Sequence, residues 1–245
     1  MIITGGSRGI GSFAAKLFAQ SGANVAFTYK SNAEAAQQTL LSLGPGKHKC
    51  YQLDLADPEA IAQFFSDYQH DYPCPDILVN NAGIFSEHKI LEAGYAQWQQ
   101  AWTDTMATNL NGAANMCYFA ARLMAKQNSG KIINISSRGA FRGEPDHPAY
   151  GASKAALNAM SQSLAIALAP HNISVHIIAP GFVETEMAEA VLSGPLGAGI
   201  KQQSPFGRVA RPEEVARLIA VYASDGLEFT SAGIVDINGA SYLRG

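Results

Sequence analysis

Cysteine is scarce in this chain of 245 residues. Its three cysteines, Cys50, Cys74 and Cys117, are odd in number and form no CxxC pair. Neither a disulfide framework nor a thiolate metal site is encoded, and a reduced, cytoplasmic setting is expected. No run of about 18 apolar residues occurs, which excludes a spanning helix. Met1-Ile2-Ile3 leads straight into Thr4-Gly5-Gly6, with no signal-like segment. Positive charge is not in excess: 17 basic against 20 acidic residues give a net charge of −3, so no nucleic-acid partner is expected. The six histidines show no H-x-x-x-H spacing, so no metal site is expected. Repeats and linker-like stretches are also missing, and residues 1–245 read as one domain. With 47% hydrophobic residues, a chain of this length can build a full core without cross-links.

What is present is an alternation. Short apolar runs at Ile2–Thr4, Asn24–Tyr29, Lys47–Leu53, Asp76–Asn80, Lys131–Ser136, Ile173–Ile178 and Ile234–Ile237 read as seven strands. Between them, Gly11–Gln20, Ala33–Ser42, Pro58–Tyr68 and Pro212–Ala223 read as helices, and Trp98–Lys126 and Ala152–Ala169 as longer ones. Strand, helix, strand in this order implies right-handed crossovers and a parallel sheet. The continuous apolar character of Ile77-Leu78-Val79 and Ile132-Ile133 fits strands covered on both faces. One connection breaks the rhythm. Residues 182–205 carry glycines at 194, 197 and 199 and read as a loop that closes over a site.

Thr4-Gly5-Gly6-Ser7-Arg8-Gly9-Ile10-Gly11 follows the first strand and opens the first helix. A pyrophosphate needs bare backbone N–H groups at a helix N-terminus, which a glycine-rich turn of this kind offers. A glycine-rich stretch is also the ordinary material of a tight strand-to-helix turn. In NAD-binding sheets an acid about 20 residues further on holds the ribose 2′-OH. Here the second strand ends Thr28-Tyr29-Lys30-Ser31, with no carboxylate. That absence, with the cations Arg8 and Lys30, points to a 2′-phosphate and hence to NADP(H). Lys30 also reads as a solvated loop lysine.

Tyr150 and Lys154 stand at i and i+4, on one face of a helix. A nearby ammonium favours phenolate and lowers a tyrosine pKa from about 10, making Tyr150 a proton donor or acceptor. A Y-x-x-x-K spacing alone is common. Ser136-Ser137 end the fifth strand, at the sheet edge where open α/β sheets bind ligands, though hydroxyls also simply terminate strands. Asn109 would lie inside a helix otherwise rich in alanine and methionine.

Together these residues resemble the short-chain dehydrogenase/reductase family, over essentially the whole chain. The resemblance rests on Thr4-Gly-x-x-x-Gly-x-Gly11, Asp54, Asn80-Asn81-Ala82-Gly83, Asn109, Ser137, Tyr150-x-x-x-Lys154 and Pro180-Gly181 with Thr185. It implies a doubly wound Rossmann-type domain, with a seven-stranded parallel sheet and helices on both faces. It implies that Tyr150 is the catalytic acid/base, that Ser137 polarises the substrate oxygen, and that Lys154 depresses the tyrosine pKa and binds the nicotinamide ribose. Asn109 is implied to hold a proton-relay water. Gly5, Ser7, Arg8, Gly9, Ile10, Gly11, Tyr29 and Lys30 are implied to bind cofactor at its phosphate and ribose end. Asp54, Leu55, Asn81, Ala82 and Gly83 would flank the adenosine, and Pro180, Gly181, Val183 and Thr185 the nicotinamide. With only three residues before Thr4, either the first strand is short or the sequence is trimmed at this end.

Arg208-x-x-x-Pro212-Glu213-Glu214-Val215-Ala216 and the Pro180–Met187 segment resemble bacterial 3-oxoacyl-acyl-carrier-protein reductases. The first reading is therefore NADPH-dependent reduction of a carbonyl, with a 3-oxoacyl thioester, free or on an acyl carrier protein, as substrate. A sugar, steroid or xenobiotic carbonyl reductase is the alternative, and a non-catalytic NADP-sensing protein a distant one. Acyl carrier protein is acidic. Gln127-Asn128-Ser129 and His171-Asn172 offer it no fixed cation, so Lys126, Lys131, Arg138 and Arg142 would have to compensate. Phe141, Phe182, Met187 and Phe206 are candidates for an apolar pocket wall, and His147 for its rim. Ala152, Ala155, Ala156, Ala159 and Ser163, near helical spacing, suggest close helix contact in a homotetramer.

Overall fold

A computed structural model describes residues 1–244, with the side chain of Ala190 also left out of account. In chain order the elements are β1 (Ile2–Ile3), α1 (Gly9–Gln20), β2 (Ala26–Tyr29), α2 (Ala33–Leu41), β3 (Lys49–Gln52), α3 (Pro58–Asp71) and β4 (Ile77–Asn80). Then follow α4 (Tyr95–Met106), a π-helical turn (Ala107–Gly112), α5 (Ala113–Gln127), β5 (Gly130–Ile135), α6 (Pro148–Leu168) and β6 (Ile173–Pro180). The chain continues through α7 (Glu186–Ser193), α8 (Gly197–Gln202), α9 (Pro212–Ala223) and β7 (Ile234–Ile237). All seven strands are parallel, in the order β3-β2-β1-β4-β5-β6-β7. The order reverses between β1 and β4, which opens a crevice at the carboxyl ends of the strands.

Because side chains alternate along a strand, neighbouring apolar residues serve opposite faces. Ile2, Leu78 and Ile132 pack with Ile61, Phe65, Met116 and Met124 from α3 and α5. Ile3, Val79 and Ile133 pack with Phe18 from α1 and Val215 and Ile219 from α9. All six strand residues are fully buried, each stabilising the fold by about 1.5–3 kcal/mol. This is why the sequence shows unbroken apolar runs. β1 is only two residues long, yet it is paired on both sides, by β2 and β4.

Two elements differ from the sequence expectation. Residues 98–126 are helical throughout, but a π turn shifts the register between α4 and α5. Gly112 lies in that turn because a Cβ there would stand 2.5 Å from the Leu55 carbonyl oxygen. The 182–205 connection is not a bare loop but holds α7 and α8. Gly197, which suggested mobility, is instead needed for packing, since a Cβ would overlap the Leu192 carbonyl. No described helix is long and apolar enough to cross a membrane.

Candidate active site

The glycine-rich turn between β1 and α1 is built for close approach. Gly9 has φ of +52°, and a Cβ on Gly11 would overlap the Gly5 carbonyl oxygen. The turn is clamped from β4. The Thr4 hydroxyl accepts from the Asn81 and Ala82 N–H groups, both at 3.0 Å, and Asn81 Nδ2 donates to the Thr4 and Gly5 carbonyls at 2.9 and 3.1 Å. Helix α1 begins with no side-chain cap and no acid in its first turn. Its first N–H groups therefore face the groove as an anion site. The donor set fits a dinucleotide pyrophosphate.

One groove runs along the carboxyl edge of the sheet. Of the residues singled out from the sequence it is lined by Gly5, Ser7, Arg8, Gly9, Ile10, Tyr29, Lys30, Asp54, Leu55, Asn81, Ala82 and Gly83 at one end. Ser137, Tyr150, Lys154, Pro180, Gly181, Val183 and Thr185 line the other. Gly11 lies beneath it as a spacer, and Asn109 behind Gly83, its Oδ1 3.2 Å from where a Gly83 Cβ would stand.

The two cations at the adenosine end are engaged. Arg8 Nη1 donates to Glu186 Oε2 of α7 at 2.6 Å, and Lys30 Nζ lies 2.7 Å from Asp54 Oδ2. Burial pushes the Asp54 carboxyl up, but Lys30 and the Ala56 N–H outweigh this and hold it below the usual range. Both pairs are solvent-exposed and individually weak, so a phosphate can compete for either cation.

Helix α6 brings Tyr150 and Lys154 together, and the turn after β5 brings Ser137. Ser137 Oγ accepts from the Gly139 N–H at 3.0 Å. Lys154 is buried and donates to the Ile135 carbonyl at 2.8 Å. Burial lowers its pKa to about 8. The expected depression of the tyrosine pKa is absent here. Burial raises Tyr150, a hydrogen bond from Ser137 opposes this, and the Glu144 carboxylate raises it further. Lys154 Nζ sits 5.7 Å from the centre of the Tyr150 ring, and burial of the phenol remains the larger influence. Tyr150 therefore holds its proton at neutral pH, in the form that a carbonyl reduction requires.

Asn109 is fixed by hydrogen bonds of its own. Its Oδ1 accepts from the Ile84 N–H at 2.8 Å, and its Nδ2 donates to the Ile84 carbonyl at 3.0 Å and Ser153 Oγ at 3.2 Å. Both amide hydrogens are spent on fixing the chain after Gly83, and the π turn gives this polar residue an inward placement on a helix.

Several residues weighed for substrate contact are engaged by other partners or lie outside the groove; Arg138 lines it but is held from behind. Arg138 is buried, donates to Gln203 and Ser241, and stacks on Phe182, so it offers no docking charge. Arg142 donates to the same Gln203, and Lys131 pairs with Asp225. Phe206 is 75% exposed and Phe141 packs under Arg244, so neither lines the groove, whereas Phe182 and Met187 do. His147 stacks on Phe85 with ring centres 3.6 Å apart, and Phe85 meets Tyr150 edge-on at 4.7 Å. Sequence reasoning missed Phe85 and Glu144, which line the groove beside Tyr150. No motif marks either position.

Residues 5–239 match the family model described as Enoyl-(Acyl carrier protein) reductase. The chain is 35% identical to a 3-oxoacyl-[acyl-carrier-protein] reductase of Chlamydia trachomatis over 97% of its own length and 95% of that protein's. It is 34% identical to one of Escherichia coli, over 99% and 96% of the two chains. Among solved structures, a mutant of a Serratia marcescens short-chain dehydrogenase/reductase superposes with a TM-score of 0.88 at 30% identity, covering 98% of this chain and 96% of that one. Glycine turn, sheet order, groove and full-length relatives agree: the chain belongs to the short-chain dehydrogenase/reductase family and is an oxidoreductase acting on CH–OH groups.

Proposed function

We propose that this protein reduces a ketone to a secondary alcohol with NADPH, and that a 3-oxoacyl thioester is its first substrate class. The observation that carries the reading is the convergence of Tyr150, Ser137 and Lys154 at one end of the groove whose other end is the glycine turn. When bound, the reduced nicotinamide supplies the hydride to the carbonyl carbon. Ser137 donates a hydrogen bond to the carbonyl oxygen, and Tyr150 gives that oxygen its proton. Lys154, held by the Ile135 carbonyl, binds the nicotinamide ribose and restores charge balance beside the phenolate as it forms. Asn109 fixes the Gly83–Ile84 chain, which lines the groove that would hold the cofactor.

Preference for the 2′-phosphate is supported by the missing acid after β2 and by Arg8 and Lys30, whose present carboxylate partners a phosphate would replace. The 182–205 segment serves as a lid, since α7 reaches the groove through Glu186, Met187 and Ala188. The thioester reading draws on the names of the relatives. The inward placement of Arg138 favours a free thioester over one delivered by an acidic carrier. A second reading, a hydroxylated ketone, is favoured by Glu144. A homotetramer in the cytoplasm fits the three unpaired cysteines and the outward face of α6, where Ala155, Ala159, Ser163 and Ile166 are exposed instead of packing on the sheet. The test is NADPH oxidation against a carbonyl panel headed by acetoacetyl-CoA. Turnover supports the reading, and no turnover with any carbonyl refutes it.

A further inference from the structure

The substrate end of the groove is mostly apolar: Ile84, Phe85, Phe182 and Met187 surround the space in front of Tyr150 and Ser137. Glu144 is the exception. Its carboxylate is partly buried and lines the same space. A polar acceptor in such a wall is how a pocket fixes a ligand's orientation.

Glu144 has no competing task that would explain it. Among the described residues no cation lies within ion-pair distance of it, and its side chain takes part in no hydrogen bond. Arg138 is turned to Gln203 and Ser241, and Arg142 to Gln203. The chain makes room for the carboxylate at Gly139, where a Cβ would stand 3.0 Å from Glu144 Cγ and 3.2 Å from its Oε1. Ser137 Oγ lies 3.4 Å from the same point. The carboxylate and the hydroxyl that meets the carbonyl oxygen thus lie within about 7 Å of each other, both against Gly139 and both lining the groove. A donor two to four bonds from the reacting carbonyl would reach Glu144 while the carbonyl stays on Ser137 and Tyr150. The field of the carboxylate is felt at Tyr150, whose proton it helps to hold. Burial raises the pKa of Glu144, and the charges of Arg138 and Arg142 oppose that without outweighing it.

We propose that Glu144 is a specificity-determining residue that accepts a hydrogen bond from a hydroxyl on the substrate skeleton near the reacting carbonyl and repels substrates with a carboxylate there. The proposal rests on the proposed carbonyl reduction at Tyr150 and takes up its second reading: short hydroxylated ketones, ahead of plain or anionic ketones.

The experiment uses the full chain with NADPH and three probes that differ in one group. These are 4-hydroxy-2-butanone, its methyl isostere 2-pentanone, and acetoacetate as the anionic ketone. The readout is the ratio of kcat/KM values, which cancels general damage to the site. A hydrogen bond to a charged acceptor is worth about tenfold to a hundredfold. The wild type should favour the hydroxyketone over 2-pentanone by at least that lower figure. Glu144→Ala should abolish the preference, and the near-isosteric Glu144→Gln should retain part of it while raising the relative rate on acetoacetate. NADPH fluorescence titration of each variant confirms that the cofactor groove is intact. Equal ratios in wild type and both variants overturn the proposal, as does a wild type that reduces acetoacetyl-CoA but not the hydroxyketone; the latter leaves the proposed function standing. A wild type that reduces none of these carbonyls overturns both.

Discussion

Lys154 is an ammonium held in a buried site, and Lys154→Met exposes what that placement costs the fold. Its pKa falls from 10.5 to about 8 on folding, because burial disfavours the charged form. Between those values the unfolded chain binds the proton and the folded one does not, so the stability of the wild type rises with pH across the window. The shift corresponds to about 3 kcal/mol, fully exacted below pH 8 and relieved towards pH 10.5. Methionine has a similar length and no charge, so the variant lacks this pH term. It also leaves the Ile135 carbonyl without its donor, a loss of about 1–3 kcal/mol that is nearly independent of pH. The variant should therefore be as stable as the wild type or up to about 2 kcal/mol more stable at pH 7, and less stable at pH 10. Urea unfolding of both proteins at pH 7 and pH 10, at one protein concentration, measures the difference. The stability gap should move by about 2–3 kcal/mol in favour of the wild type as pH rises, whatever the hydrogen bond contributes. A gap that stays constant within about 0.5 kcal/mol would show that Lys154 is not depressed and refute the reasoning. Turnover should be lost in the variant at both pH values, since a site can be stabilised by removing its function.

Fluorescence titration should show NADPH binding more tightly than NADH, and Tyr29→Asp should reverse the order by offering the 2′-OH an acceptor and repelling the phosphate; tighter NADH binding by the wild type contradicts the assignment. Asn109→Ala strands the Ile84 N–H and carbonyl, and should lower stability by about 2–4 kcal/mol, or roughly 5–15 °C in Tm by calorimetry. Hydrogen exchange across residues 187–200 should slow when NADPH binds, as the lid settles on the groove. Equal protection in both states would make α7 a static wall.

The sheet was legible because its physics is local. Ile2-Ile3, Leu78-Val79 and Ile132-Ile133 each present one apolar residue to each face, and only a strand covered on both sides tolerates that pattern. The groove was legible because a glycine turn, a Y-x-x-x-K spacing and a missing acid each answer a chemical need of the ligand. The rest depends on tertiary neighbours that no spacing records. Within the π turn, Asn109 bonds to Ile84, 25 residues away. Glycines 194, 197 and 199 suggested a loose segment, yet Gly197 marks a tight contact between α7 and α8. The pairing of Arg8 with Glu186 spans 178 residues, and Arg138 turns inward to partners 65 and 103 residues away. Tyr150 shows the same limit in its chemistry: the helix places Lys154 on its face, but burial decides the direction of its pKa.

The central claim is that Tyr150 delivers the proton to a carbonyl oxygen at the nicotinamide end of the groove. Tyr150→Phe keeps the ring, its edge-on contact with Phe85 and the helix around it, and removes only the hydroxyl. Stopped-flow NADPH oxidation with acetoacetyl-CoA, alongside NADPH affinity for both proteins, tests the claim most directly. NADPH affinity should stay within a few fold of the wild type, and the rate constant should fall by about 10²–10⁴-fold. A variant that binds NADPH normally and keeps most of its rate would contradict it.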